Sequence, residues 1–250
     1  MSLTRLALTL GRNDVRLILR DRMLVMLLGM AAFMGVAARF ALPALDASLA
    51  ESGVLPSESV SLRLSDTYPM WVAFIGLWQA ALLPGTAFAF LLLDEKEDET
   101  LVAMRVTPVP LARYVGYRVA QPTVLSLIFA LAIVPLIGHA DVAPWKLVPI
   151  AFGACLTAPL AMLLFASFAN DKVQGLAFTK FGGVAGLTIL FGWFAPEPWQ
   201  WLLGVFPPFL VAKAFWMAHA GDSLWWAPLL VAVVTQLAMI RALVRRFDGT

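Results

Sequence analysis

The sequence predicts an all-α integral membrane protein, with six transmembrane helices, an N-terminal amphipathic elbow helix and a re-entrant or interfacial helical pair before the last span. Three observations carry this. The 250 residues are 61% hydrophobic and only 14% charged, against roughly 25% charged in soluble domains. The apolar residues come in blocks of about 20, the length that crosses a bilayer core as a helix. They lack the short alternating pattern of barrel strands. Mean hydropathy is +0.83, so the few charges would not solvate a surface of this size in water.

Residues 1–22 form the first unit. Leu3, Leu6 and Leu10 recur at helical spacing, and Arg5, Arg12 and Arg16 at another. That amphipathic pattern suits a membrane surface. A secretory signal is disfavoured, because the apolar segment from Met23 lies far from the N-terminus and no A-x-A site follows it. The transmembrane domain takes residues 23–250, with spans at about 23–42, 70–93, 119–138, 147–169, 176–195 and 224–243. A polar loop over about 46–69 carries Asp46, Glu51, Glu58 and Asp66. "HADVAPW" and "NDKVQG" turn the chain on either side of the fourth span. Residues 196–222 are apolar enough to suggest a seventh. Pro207-Pro208 would interrupt it and Lys213 would sit deep in it. Trp199, Trp201 and Trp216 there suit an interface, where indole is half wet.

Charge sets the orientation. Six spans put both termini on one side, with 14 of the 18 Lys and Arg residues. The other side holds Arg39, Arg63, Lys146 and Lys213. The positive-inside rule then predicts a multi-pass protein of the cell (inner) membrane with both termini cytoplasmic. Lys180 is expected to snorkel to the cytoplasmic face.

The largest cytoplasmic loop is "LLLDEKEDETLVAMRVTPVP", residues 91–110. Asp94, Glu95, Lys96, Glu97, Asp98 and Glu99 follow one another without a break. Acids at a helix start and Arg105 near its end suit the helix dipole. Pro108 disfavours helical geometry at Thr107, and Pro110 opens the next helix, through Tyr114 and Arg118 into the third span. The expected result is a short helix across a hairpin tip, exposing charges and apolar side chains together. A rigid mixed surface of that kind fits docking of a soluble partner.

This stretch resembles the cytoplasmic loop of ABC-2 type permease subunits, the membrane half of type V ABC exporters. Glu95-Lys96-Glu97, Thr100-Leu101 and Thr107-Pro108 match the family's E-K-E-x-x-T-L segment and its T-P. The family's elbow helix, six spans and outer helices before the last span match the features above, so the resemblance covers essentially the whole chain. It implies that Glu95, Lys96, Glu97, Thr100, Leu101, Thr107 and Pro108 belong to a coupling helix seated on a separate nucleotide-binding ATPase subunit. It also implies a second permease subunit, identical or homologous, and ATP with Mg on the partner ATPase. This chain has no G-x-x-x-x-G-K-[ST] loop to cradle phosphates, so no cofactor is expected on it. It is expected to be a transporter subunit and not an enzyme. Membrane lipid is the other expected partner, and nucleic acid is not one.

In the family the second and fifth spans face the transport path. Gln79 and Thr86 lie seven residues apart on the second span, hence nearly on one face, and Thr188 lies on the fifth. Uncharged polar groups in lipid need protein or a cavity beside them, so these three are the candidate path residues. Gly182, Gly183 and Gly186 fit close helix packing better than a path. The spans show no buried acid–base pair, which disfavours ion coupling and intramembrane proteolysis. An apolar path suits a hydrophobic or amphiphilic cargo. Cys155 reads as a small buried hydrophobe, and His139 and His219 have no metal-ligand spacing. The rival reading is a non-transporting membrane scaffold or assembly factor, which would need no ATPase.

Overall fold

The structure is a computed structural model and describes residue 16 and residues 18–52, 63–97, 111–169 and 171–248. Among the described residues six helices are long and apolar enough to cross a membrane. They are α1 (Arg22–Glu51), α2 (Leu64–Glu97), α3 (Leu111–Ile137), α4 (Pro144–Phe168), α5 (Lys172–Phe194) and α8 (Trp226–Asp248). Between the fifth and sixth spans lie α6 (Glu197–Gln200), a 3₁₀ turn (Trp201–Val205) and α7 (Pro207–His219).

Two helices form the centre. In α2 and α4, 89% and 78% of the apolar stretch is buried, against 22% in α1, α5 and α8. The α2–α4 contact is the most extensive in the protein. Gly85 makes it possible, because a Cβ there would fall 2.6 Å from the carbonyl oxygen of Ala158 and 2.8 Å from its Cα. Backbone cannot step aside, so only glycine lets these helices approach so closely. The outer helices keep lipid-ready faces, such as Met26, Phe33 and Phe40 on α1 and Val184 and Phe191 on α5.

Both central helices are irregular. Residues Ala73–Gln79 of α2 wind as a π-helix, a geometry that is rare and concentrates at functional sites. Helix α4 breaks at Leu156, between Pro144–Cys155 and Thr157–Phe168. Pro159 has no N–H to give the carbonyl of Cys155 and its ring crowds that carbonyl. The buried amide of Gln236 on α8 bridges the break: its Nε2 donates to the carbonyl of Gly153 at 3.0 Å, and its Oε1 accepts from Thr157 Oγ1 at 3.0 Å.

Several expected boundaries move. Helix α1 runs on to Glu51, so the polar loop expected from residue 46 begins later. Its "ALDASLA" continuation holds good helix formers, and Pro43 is accommodated inside the helix. Of the expected elbow, only residue 16 and residues 18–22 are described. Asp21 there caps α1, accepting from the N–H of Met23 at 2.8 Å. The 13 residues of α7 reach roughly 20 Å, short of a bilayer core of about 30 Å. Trp199 and Trp201 are exposed, whereas Trp216 is buried and donates to the carbonyl of Pro69 at 3.2 Å. Lys213 is buried, with its Nζ 2.9 Å from Glu197 Oε1 and 2.6 Å from Gln200 Oε1, over the Trp201 ring.

Candidate functional site: a braced hairpin base and an aromatic cavity

Helix α2 does not end where its apolar run ends. It continues through Asp94, Glu95, Lys96 and Glu97, and its last turn ties four neighbouring helices together. The Glu95 carboxylate accepts from the guanidinium of Arg118 and the hydroxyl of Tyr114, both on α3. Arg118 is 4% exposed. Its Nε also donates to the Tyr114 oxygen at 3.0 Å, and its Nη1 to Gln121 Oε1 at 3.1 Å. Gln121 in turn donates to the Tyr117 hydroxyl at 2.8 Å. Residues 114, 117, 118 and 121 fall on one face because side chains three and four apart are neighbours on a helix.

The other charges reach sideways. Lys96 Nζ donates to the carbonyl of Ala169, just past the end of α4, at 3.0 Å. A cation suits the negative end of a helix. Glu97 accepts the backbone N–H of Lys172, the first residue of α5, at 2.8 Å, the matching arrangement at a positive end. Lys172 Nζ lies 2.7 Å from Asp94 and 3.6 Å from Asp21, which joins the start of α1 to the group. Asp171 caps α5 through Gln174 N–H at 2.8 Å.

This corrects the expectation of freely exposed charges for residues 94–97: all four are engaged within the protein. Glu95 and Arg118 form an ion pair just beyond the ends of the expected spans, 70–93 and 119–138. The reason is length. Both helices extend beyond the apolar spans, so charges assigned to a loop lie on packed helix ends. Tyr114 and Arg118 had no role assigned from sequence. Their spacing of four at the start of a span was the available signal. Thr100, Leu101, Thr107 and Pro108 lie outside the described residues.

The second feature is a cavity of about 350 Å³ bounded by α2, α4, α5 and the start of α7. Its walls carry the rings of Trp78, Phe165, Phe168, Phe178, Phe181 and Phe206, with Leu82, Leu160 and Leu164 between them. None of the described lining residues is ionisable, though the Arg246 guanidinium lies over the Phe168 ring, 4.8 Å from its centre. Thr157 reaches the wall, but its hydroxyl is engaged with Gln236. Trp78 is 5% exposed and its ring meets Phe206 edge to face at 5.2 Å. Its Nε1 abuts Gly186, beside the lining residue Ala185, and has no hydrogen-bond partner among the described residues.

None of Gln79, Thr86 and Thr188 lines this cavity. Gln79 ends the π segment, half-buried, with no side-chain hydrogen bond to a described residue. Thr86 is buried, and Thr188 turns its hydroxyl back to the carbonyl of Ala185 at 2.6 Å. The glycines divide. Gly182 borders the cavity, Gly186 admits the Trp78 indole, and Gly183 faces open space.

Six apolar helices, a charged stretch closing the second of them and the E-K-E-x-x-T-L and T-P motifs define an ABC-2 type membrane permease. A family model described as fluoroquinolones export permease protein Rv2686c-like matches residues 14–244. The chain is 35% identical over 240 residues to the fluoroquinolones export permease protein MT2760 of Mycobacterium tuberculosis strain CDC 1551 / Oshkosh, covering 95% of this chain and 92% of that protein. Identity and coverage are the same for the fluoroquinolones export permease protein Rv2686c of strain ATCC 25618 / H37Rv. The chain belongs to the Rv2686c-like export permease family.

Proposed function

We propose that this chain is the membrane-spanning subunit of an ATP-driven exporter of aromatic, drug-sized compounds, fluoroquinolones among them. A separate ATPase subunit would carry ATP and Mg, and a second permease subunit would complete the path. The observation that carries the reading is the hairpin of α2 and α3. Glu95, Tyr114 and Arg118 lock the two helices at its base, so displacement of the 98–110 tip moves both as one body. Helix α2 then passes that displacement inward, since it packs along α4 and supplies Trp78 and Leu82 to the cavity wall. In this reading Glu95, Lys96 and Glu97 brace the hairpin, and Thr100, Leu101, Thr107 and Pro108 shape the surface that meets the ATPase. Gln79 lines the path between the two permease subunits, because its amide has up to four hydrogen-bonding sites that lipid does not satisfy. The same reading puts both termini in the cytoplasm.

Co-purification tests it. Leu101→Asp should leave membrane insertion intact and remove the ATPase from the purified complex. An ATPase that stays bound to Leu101→Asp, or no ATPase in the wild-type complex, would favour the scaffold alternative. A reporter fused after Thr250 should read cytoplasmic and one at Ser57 external.

A further inference from the structure

We propose that the seam between α4 and α5 holds an anionic phospholipid, with one acyl chain lying in the ring-lined slot and the phosphate on the guanidinium of Arg246. The inference stands apart from the export reading, and its test uses neither an ATPase nor a drug.

Shape points to a chain. The lining residues of α4 run from Thr157 to Phe168, roughly 16 Å along the helix. That is the depth of one leaflet in a hydrocarbon core of roughly 30 Å. About 350 Å³ over such a length is a slot with the bore of a single hydrocarbon chain, so the second chain of a phospholipid stays in the leaflet. The slot opens sideways, since Phe168 and Phe181 border it and are 48% and 69% exposed. Thr157, which reaches the wall, gives its hydroxyl to Gln236 and leaves the surface apolar. A chain already dissolved in lipid gains nothing from leaving water. What holds it is contact with walls that would otherwise face a void.

Charge selects the headgroup. Phe168 is the last residue of α4, and Lys96 of the hairpin base holds the carbonyl of the next residue, Ala169. The rim of the slot therefore lies at the charged end of the bundle, at headgroup depth. Arg246 reaches that rim from α8, with its guanidinium over the Phe168 ring, 4.8 Å from the centre. The ring face attracts the cation and keeps it at the mouth. Arg246 is exposed, as is Arg245 beside it in the last turn of α8. A guanidinium carries its N–H donors around its edge and takes phosphate oxygens in pairs, so it meets a phosphate while its face rests on the ring. Basic sites between membrane helices favour anionic headgroups in this way. A zwitterionic lipid sets its own cation next to its phosphate and gains less.

The test uses the full chain purified in a neutral detergent. It is offered palmitoyl-oleoyl phosphatidylglycerol and the phosphatidylcholine with the same chains, and retained lipid is read by native mass spectrometry. Wild type should retain the anionic lipid about fivefold better, the effect of one cation near a membrane surface. Arg246→Gln should remove that preference and Arg246→Lys should keep most of it. Arg241→Gln, about 140° round α8 from Arg246, should leave it unchanged. Gly182→Leu fills the slot and should abolish retention of both lipids; if it does not fold, Leu164→Trp narrows the same slot from α4. Equal retention of the two lipids by wild type overturns the proposal, as does wild-type retention by the filled variants. An equal loss of preference in Arg241→Gln overturns it too, because a diffuse surface field would then select the lipid. Displacement of the phosphatidylglycerol by free inorganic phosphate would show an anion site without a chain. A lipid-free dimer that separates on Gly182→Leu would show the seam covered by a second copy, and either result removes the lipid.

Discussion

The inner end of α2 and its midsection are built from opposite materials. Between Asp94 and Glu97 every charge meets a partner: a guanidinium, a lysine, a helix end. Farther back, Trp78 and Leu82 face a ring-lined space, and the Trp78 N–H beside it has no partner among the described residues. The difference separates two duties on one helix. A buried ion pair with its hydrogen bonds fulfilled fixes geometry, because any displacement exposes an uncompensated charge. A hole walled by rings imposes little geometry and accepts different shapes. Rigidity sits where force would arrive and permissiveness where a guest would sit.

Substitutions that break the comparison should rank accordingly. The largest loss is expected from Glu95→Ala, which leaves the Arg118 guanidinium buried without its carboxylate. About 3–5 kcal/mol is typical, and thermal unfolding of the purified protein should show it. Arg118→Leu added to Glu95→Ala should recover much of that loss; no recovery would mean that the network with Tyr114 and Gln121, and not the ion pair, holds the hairpin base. Gly85→Ala comes next. Its methyl group meets the backbone of Ala158, and overpacking of this kind costs about 1–3 kcal/mol. An unfolding temperature equal to wild type would mean that α2 and α4 part easily. Asp94→Asn should be smaller, below about 1 kcal/mol, since Lys172 and Asp94 are each about a third exposed and such pairs are weak. The loss should shrink further in high salt. Gly183→Ala should be the mildest, neutral or stabilising by up to about 1 kcal/mol, since nothing lies within 4 Å of the added carbon. A destabilised Gly183→Ala would reveal an unseen neighbour on that face, such as the second subunit.

The spans were legible because their signal is additive: each is a block of apolar residues near the bilayer length, and all six appear. Their ends were not. Hydropathy stops at Leu93, whereas helical hydrogen bonding continues while the side chains find partners, and Glu95 finds its partners on a helix 23 residues later in the chain. Such pairing is a tertiary fact. The cavity was illegible for a related reason. Its rings come from α2, α4, α5 and the turn before α7, and each reads as ordinary lipid-facing or core residue on its own helix. The polar residues picked from α2 and α5 were visible because they interrupt apolar runs. Trp78, beside Gln79, does not interrupt one, and its N–H stands out only because no described residue accepts from it. In the outer segment, the expected interruption at Pro207-Pro208 falls where α7 begins. Trp216 misled because an indole buried against Pro69 looks the same in sequence as one at an interface.

The fracture in α4 has a consequence for biogenesis. Helices enter a membrane in chain order, so α4 arrives with its two halves joined only at Leu156. The amide that splints them belongs to α8, 79 residues after Thr157. Until Gln236 docks, the halves are held by Leu156, whose backbone is helical, and by the Leu160 N–H to the Leu156 carbonyl, while the Thr157 hydroxyl and the Gly153 carbonyl wait for their amide partner. The α4 wall of the hollow is thus splinted by the last span in the chain, and a chain halted before α8 lacks the amide that joins Gly153 to Thr157.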